Sequence, residues 1–224
     1  MPSGPLSLAA QLYLLAWDVP DETFPVIAAP RLTCAAHLPY LVRAGALTEL
    51  AQGGLLRDAD GVAEPVPHGR TGDVVLDGLL ELMAASRPRS WQAWILVRAH
   101  ATLEAVAAEL VSAGYLRVRR RRLLGVFPYR QVELERPQFV EGLRAETLDV
   151  LGAARPVAEI AERDAALIAL AAAGELNTLL PTAERMRHKK RIEALAERGA
   201  TTAPALASLL TGLRAARIDA MSLS

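Results

Sequence analysis

Leucine and alanine recur at i, i+3 and i+4 along most of this chain, and only an α-helix brings residues at that spacing onto one face. The pattern commits most of the 224 residues to packed helices. It runs through residues 31–47 despite Pro39, then 73–85, 90–100, 101–112, 137–151, 157–180, 182–197 and 204–221. Residues 90–112 read as one bent helix or two consecutive ones. The apolar stretch 6–17 reads as a core helix or strand. Gly45 is expected to break the second helix, with a short strand over 46–50. The polar, turn-rich stretch 52–71 then reads as a surface loop or a small hairpin. Asp73 stands where a helix needs a cap, with Val74, Leu76, Leu79, Leu80 and Met83 expected to face inward. There is no repeat, low-complexity linker or heptad run. The fold class that follows is mainly α: a single globular domain over residues 1–224, with a central helical bundle surrounded by amphipathic helices and one or two small β-hairpins.

Charge is concentrated at one point. Arg117, Arg119, Arg120, Arg121 and Arg122 fall within six residues, where the helical period gives way to alternation. Upstream, Gly114 sits where a left-handed residue ends a helix. Leu116 and Val118 then alternate with arginines, as a half-buried strand does. Residues 123–134 read as the return strand, so the arginines occupy a basic β-hairpin at about 116–134. Such a run serves either as a charged edge that resists aggregation or as an anion-binding surface, since arginine offers paired donors shaped for phosphate. A second basic cluster, Arg185, Arg187, His188, Lys189, Lys190 and Arg191, reads as a solvated helix face balanced by Glu184, Glu193 and Glu197, with Met186, Ile192 and Leu195 inward.

The remaining composition narrows the function classes. Formal net charge is zero, with 25 basic and 25 acidic residues, so recognition of a polyanion must come from local patches. Lysine occurs only at 189 and 190, and alanine is about one residue in five; both biases point to GC-rich codons and a bacterial, actinobacterial kind of source. The one cysteine, Cys34, excludes an intrachain disulfide and fits a reducing cytoplasm. Residues 1–17 lack the basic start of a signal peptide and are too short to span a bilayer. The four histidines, His37, His68, His100 and His188, are scattered without metal-ligand spacing. Neither a nucleophile elbow nor a phosphate-cradling loop is present. The carboxylate pairs Asp58 with Asp60 and Asp73 with Asp77 suit solvation or capping better than acid–base work. The expectation is a non-enzymatic protein with no cofactor and no metal.

Several landmarks, in order, carry a resemblance: Thr71-Gly72-Asp73-Val74-Val75-Leu76-Asp77, then Trp94-Ile95, then Leu110-Val111-Ser112-Ala113-Gly114-Tyr115-Leu116, then a basic hairpin ending Leu124-Gly125-Val126-Phe127-Pro128. With residues 12–18, 41–47 and 163–180, these landmarks resemble the Golgi phosphoprotein 3 family over nearly the whole chain. The resemblance implies a helical bundle with small hairpins. It also implies the role of the eukaryotic members, which are peripheral membrane adaptors that bind phosphatidylinositol 4-phosphate.

In those relatives the headgroup pocket is made by a tryptophan and an arginine ahead of the corner helix and by two arginines on the helix before the hairpin. Fitting this chain by its corner and its 110–116 landmark puts Pro25, or Phe24 with a gap, at the tryptophan. Cys34 falls at the first arginine, and His100 and Leu103 at the pair. None of the four matches. Arg31, one turn before Cys34, and Arg98, two residues before His100, are placed to rebuild a displaced pocket, which makes Arg31, Arg98 and His100 the candidate lipid-headgroup residues.

The functional expectation is an anionic-lipid or adaptor module, cytoplasmic or peripheral on the inner face of the membrane. Its partners would be an anionic phospholipid surface, with weak selectivity for phosphatidylinositol 4-phosphate, and an unidentified protein. Two alternatives stand beside it. One is a winged-helix nucleic-acid binder, although residues 101–112 carry Glu104 and Glu109 and nothing suited to base edges, so no sequence-specific nucleic acid is expected. The other is a structural module that forms a homo-oligomer through the basic hairpin.

Overall fold

A computed structural model describes residues 6–19, 30–34, 36–123, 127–152 and 155–222, without the side chains of 120–130, 221 and 222. Its centre is a pair of buried helices, α1 (Leu8–Leu15) and α2 (Leu38–Gln52). Ser7 starts α1, its hydroxyl accepting from the Ala10 N–H at 3.2 Å. Pro39 lies in the first turn of α2, where its missing N–H leaves no helix bond unmade. Every residue of α1 but Gln11 is buried.

Gly45 does not break α2. A Cβ there would stand 2.8 Å from Leu12 Cδ1 and 3.2 Å from the Ala9 backbone nitrogen, so glycine lets the two helix backbones approach. The strand expected over 46–50 is instead the second half of α2. The helical pattern expected from residue 31 begins at Leu38. Arg31–Leu32 forms β2, which pairs antiparallel with β1 (Trp17–Asp18) and sets Asp18 opposite Arg31.

The polar stretch after α2 is a hairpin, β3 (Leu56–Ala59) and β4 (Val62–Pro65), with β5 (Arg89–Ser90) on its outer edge. Asp60 and Gly61 turn it with φ of 52° and 83°, the positive values that a two-residue hairpin requires. Between β4 and β5 lies α3 (Val74–Ala84), capped by Asp73 Oδ1, which accepts from the Val75 and Leu76 N–H groups at 2.8 and 2.9 Å. Val74 faces outward at 86% exposure rather than inward, because it occupies the first helical position. Val75 takes its place in the core.

Two helices follow, α4 (Trp91–Leu96) and α5 (Ala99–Ser112). Gly114, at φ 74°, releases the chain from α5 into β6 (Leu116–Leu123) and β7 (Phe127–Leu134). Then come α6 (Pro137–Gly152), a 3-10 turn at Val157–Glu159, α7 (Glu162–Ala173), α8 (Thr182–Arg187), α9 (Lys189–Gly199) and α10 (Leu206–Ser222). The helices α5, α7 and α10 pack around α2, with α6 against α1 and α9 against α7. Tyr115 and Phe139 stack at 4.8 Å, with the Arg136 guanidinium 5.0 Å over the Tyr115 ring, and so fix the hairpin base to α6. Trp17, Trp91 and Trp94 are all core residues. Among the described residues no helix is long and apolar enough to cross a membrane.

Candidate functional site: a buried arginine at the amino end of α5

Arg43 lies in the middle of α2 and is only 1% exposed. Its Nη2 donates to the carbonyl oxygen of Arg98 at 2.7 Å, while Nε and Nη1 have no hydrogen-bond partner among the described residues. No carboxylate pairs with it among those residues. Burial, and then the positive charge of Arg98, push its pKa down to about 10, so it remains a cation at neutral pH. A buried charge without a counter-charge is costly, and fold stability alone does not favour keeping one.

The backbone around it is specialised. α4 ends at Leu96, Val97 is extended, and Arg98 takes φ 51° and ψ 34° before α5 begins at Ala99. No side chain caps α5, and the free N–H groups and dipole of a helix start favour an anion. One turn before Arg43 on α2, Tyr40 meets the His100 ring edge-on, centroids 6.5 Å apart. Arg98 and His100 are both exposed. The arrangement is therefore one buried cation behind two outward basic residues at an uncapped helix start, beside the half-exposed apolar Leu96.

The structure thus brings Arg98 and His100 together with α2 but leaves Arg31 on the β1–β2 pair, exposed and opposite Asp18. Cys34 turns toward a different neighbour: its Sγ is 3.9 Å from the carbonyl of Glu175, and nearby His37 Nε2 is 2.9 Å from the carbonyl of Gly174. Leu103 packs partly buried against the core. Phe24 and Pro25 lie outside the described residues. Arg43 itself escapes a reading that looks for clustered charge. Its signal is the reverse, a lone arginine in a helix whose positions 39, 40, 46 and 47 offer it no acid.

The basic hairpin is not one uniform surface. Arg117 pairs with Glu135 at 2.7 Å and Glu133 at 3.7 Å, and Arg119 with Glu133 at 2.6 Å. These two arginines are spent on cross-strand contacts. Further out, the register sets Arg120 opposite Arg130, Arg121 opposite Tyr129 and Arg122 opposite Pro128, so no acidic residue stands directly across from them.

The second basic cluster divides between two arginines held by internal contacts and a solvated face carrying Arg187, Lys189 and Lys190. Arg185 donates to Asn177 Oδ1 and the Leu180 carbonyl, and Arg191 to the carbonyls of Val150 and Arg155. Arg187 and His188 share Glu184, and Lys189 reaches Glu193. Leu195 is buried as expected, but Met186 is 68% exposed and faces away from the core, because the chain breaks at His188 into two short helices. α9 packs on α7 whereas the hairpin packs on α5. A cleft of about 630 Å³ between α1, α6 and α7 is lined in part by Gln11, Glu146, Asp149, Asp164 and Arg155. Among the described residues no group of three His, Cys, Asp or Glu side chains is placed to hold a metal ion.

The architecture defines a mainly α domain built on a buried helix pair, with a basic hairpin outside it. The family model described as Golgi phosphoprotein 3 (GPP34) matches residues 8–213, and the chain belongs to that family. No curated protein matches it significantly.

Proposed function

We propose that this protein is a non-enzymatic peripheral module that binds an anionic lipid headgroup at the amino end of α5 and serves as an adaptor on the cytoplasmic face of a membrane. The observation that carries this reading is Arg43, a buried guanidinium whose Nε and Nη1 have no hydrogen-bond partner, and which has no carboxylate paired with it, among the described residues. A phosphate reaching the start of α5 would supply the missing counter-charge and accept from Nε and Nη1. His100 offers a further hydrogen-bonding ring at the entrance, and exposed Leu96 suits contact with the membrane interface. Outer hairpin arginines would add sequence-independent attraction, about 1 kcal/mol for each basic residue near an anionic surface.

Family membership adds phosphatidylinositol 4-phosphate as the reference ligand. Cys34 and Leu103 bring no charge where the resemblance implies arginines, so selectivity over another anionic lipid is modest. Flotation with phosphatidylcholine vesicles carrying either phosphatidylinositol 4-phosphate or charge-matched phosphatidylserine tests the reading. Both should recruit the protein, the phosphoinositide somewhat better, and Arg43→Met should weaken both. Unchanged recruitment of Arg43→Met, with loss only on changing Arg120 and Arg122 to Ser, would assign binding to the hairpin alone.

A further inference from the structure

Five described non-glycine residues have positive φ, among them Cys34, Asp60 and Arg98. Asp60 is explained by its hairpin turn. Arg98 is not explained by its side chain, which is exposed and makes neither a capping hydrogen bond nor an ion pair among the described residues. What is engaged is its carbonyl oxygen, which accepts from Arg43 Nη2 at 2.7 Å and from the Ala101 N–H at 3.0 Å. A left-handed backbone is unfavourable for a residue with a Cβ, and a strained residue persists where its surroundings hold it.

The geometry links this backbone to the buried cation. Val97 leaves α4 extended, and one left-handed residue then turns the chain so that α5 starts against α2. The same turn aims the Arg98 carbonyl at the guanidinium. Nη2 of Arg43 is thereby tied, which fixes the plane of the group, while Nε and Nη1 have no partner among the described residues. The Arg98 side chain is exposed, and a charge facing water acts weakly in comparison.

We propose that Arg98 is a positioning residue of the headgroup site, acting through its left-handed backbone and carbonyl rather than through its guanidinium. This rests on the reading of the amino end of α5 as the anion site. It makes a prediction that inverts the usual arginine scan, because the substituents should rank by tolerance of positive φ and not by charge.

The test is a series at position 98, with binding to phosphatidylcholine vesicles carrying phosphatidylinositol 4-phosphate measured well below each variant's Tm. Arg98→Gly removes the strain, Arg98→Ala keeps the same backbone preference without charge, and Arg98→Lys keeps the charge. All three should bind within about twofold of the wild type, since each permits the turn. Arg98→Val should lose about tenfold, because a β-branched residue strongly resists positive φ and would swing the carbonyl off Arg43. A turn that mattered only for stability would lower Tm in the Val variant without touching binding by the folded protein.

The Arg43 Nε–H resonance gives an independent readout. It should stay distinct from those of exposed arginines in the Gly, Ala and Lys variants and merge with them in Arg98→Val. Loss of about tenfold in both Gly and Ala variants, with Lys unaffected, would overturn the proposal by making the side-chain charge the ligand. A Val variant that binds and resonates like the wild type would overturn it as well. If the wild-type protein floats with neither vesicle, the lipid reading fails, whereas the resonance still decides whether Arg98 positions Arg43.

Discussion

Arg43 Nη2 donates to the carbonyl oxygen of Arg98 across 2.7 Å, tying the middle of the buried helix α2 to the residue that precedes α5. The bond engages one nitrogen of the guanidinium, and the other two, Nε and Nη1, have no partner among the described residues. That imbalance separates this arginine from Arg163, which bridges Glu49 and the Leu6 carbonyl, and from Arg198, which pairs with Glu162 and the Ile160 carbonyl. Those two are structural in the plain sense that acceptors surround them.

Replacing Arg43 with Met should therefore separate stability from binding. Removal of a buried charge that lacks a counter-ion is neutral or stabilising, so Tm should hold or rise, while vesicle binding falls about tenfold. Were Arg43 a structural residue, its loss would cost about 2 kcal/mol, equivalent to roughly 4–8 °C in a domain of this size. Thermal melts and flotation on the same preparation decide between these outcomes.

Acid should act through His37. Burial lowers its pKa first, the bond to the Gly174 carbonyl opposes that, and nearby Arg217 lowers it further. The unfolded chain thus holds more protons than the native one between the folded-state pKa and about 6.5. Stability is full above that window and is lost as pH falls through it. His37→Gln, which keeps an N–H for Gly174, should flatten the fall in Tm between about pH 7 and pH 5.

Glu109 should act in the opposite direction. Burial, then the charges of Asp73 and Glu49, raise its pKa, and its Oε2 lacks a partner among the described residues. A raised carboxyl costs stability as pH rises through the folded-state pKa and the group ionises. Glu109→Gln should accordingly raise Tm at neutral pH and change it little near pH 4. Equal effects at both pH values would contradict the assignment.

Within the hairpin, the arginines paired with Glu133 and Glu135 and those further out should behave differently. Arg119→Ser removes a partly exposed pair worth about 0–1 kcal/mol and should leave vesicle binding unchanged. Changing Arg120 and Arg122 together to Ser should weaken binding at low salt and lower Tm by no more than about 4 °C. A change of oligomer size in gel filtration, with binding intact, would instead make the outer run a subunit contact.

Much of the architecture is legible in the sequence because its signals are local. Asp73 caps α3, Gly114 ends α5, and the alternation after Leu116 is a strand. Gly45 misleads because glycine usually weakens a helix, and only the closeness of Ala9 and Leu12 shows why α2 needs it. The site is less legible. Arg98 and His100 are visible as neighbours in sequence, but Arg43 gains its significance from burial, and the positive φ of Arg98 leaves no trace in an arginine side chain.

The central claim is tested most directly by titrating ¹⁵N-labelled protein with a soluble inositol phosphate and following the Arg43 Nε–H resonance together with the Ala99 and His100 amides. A saturable shift of all three, with the Ala99 and His100 shifts lost in Arg43→Met, is the predicted result. Shifts confined to the Arg119–Arg122 strand and the 185–191 helices, with Arg43 unmoved, would contradict it.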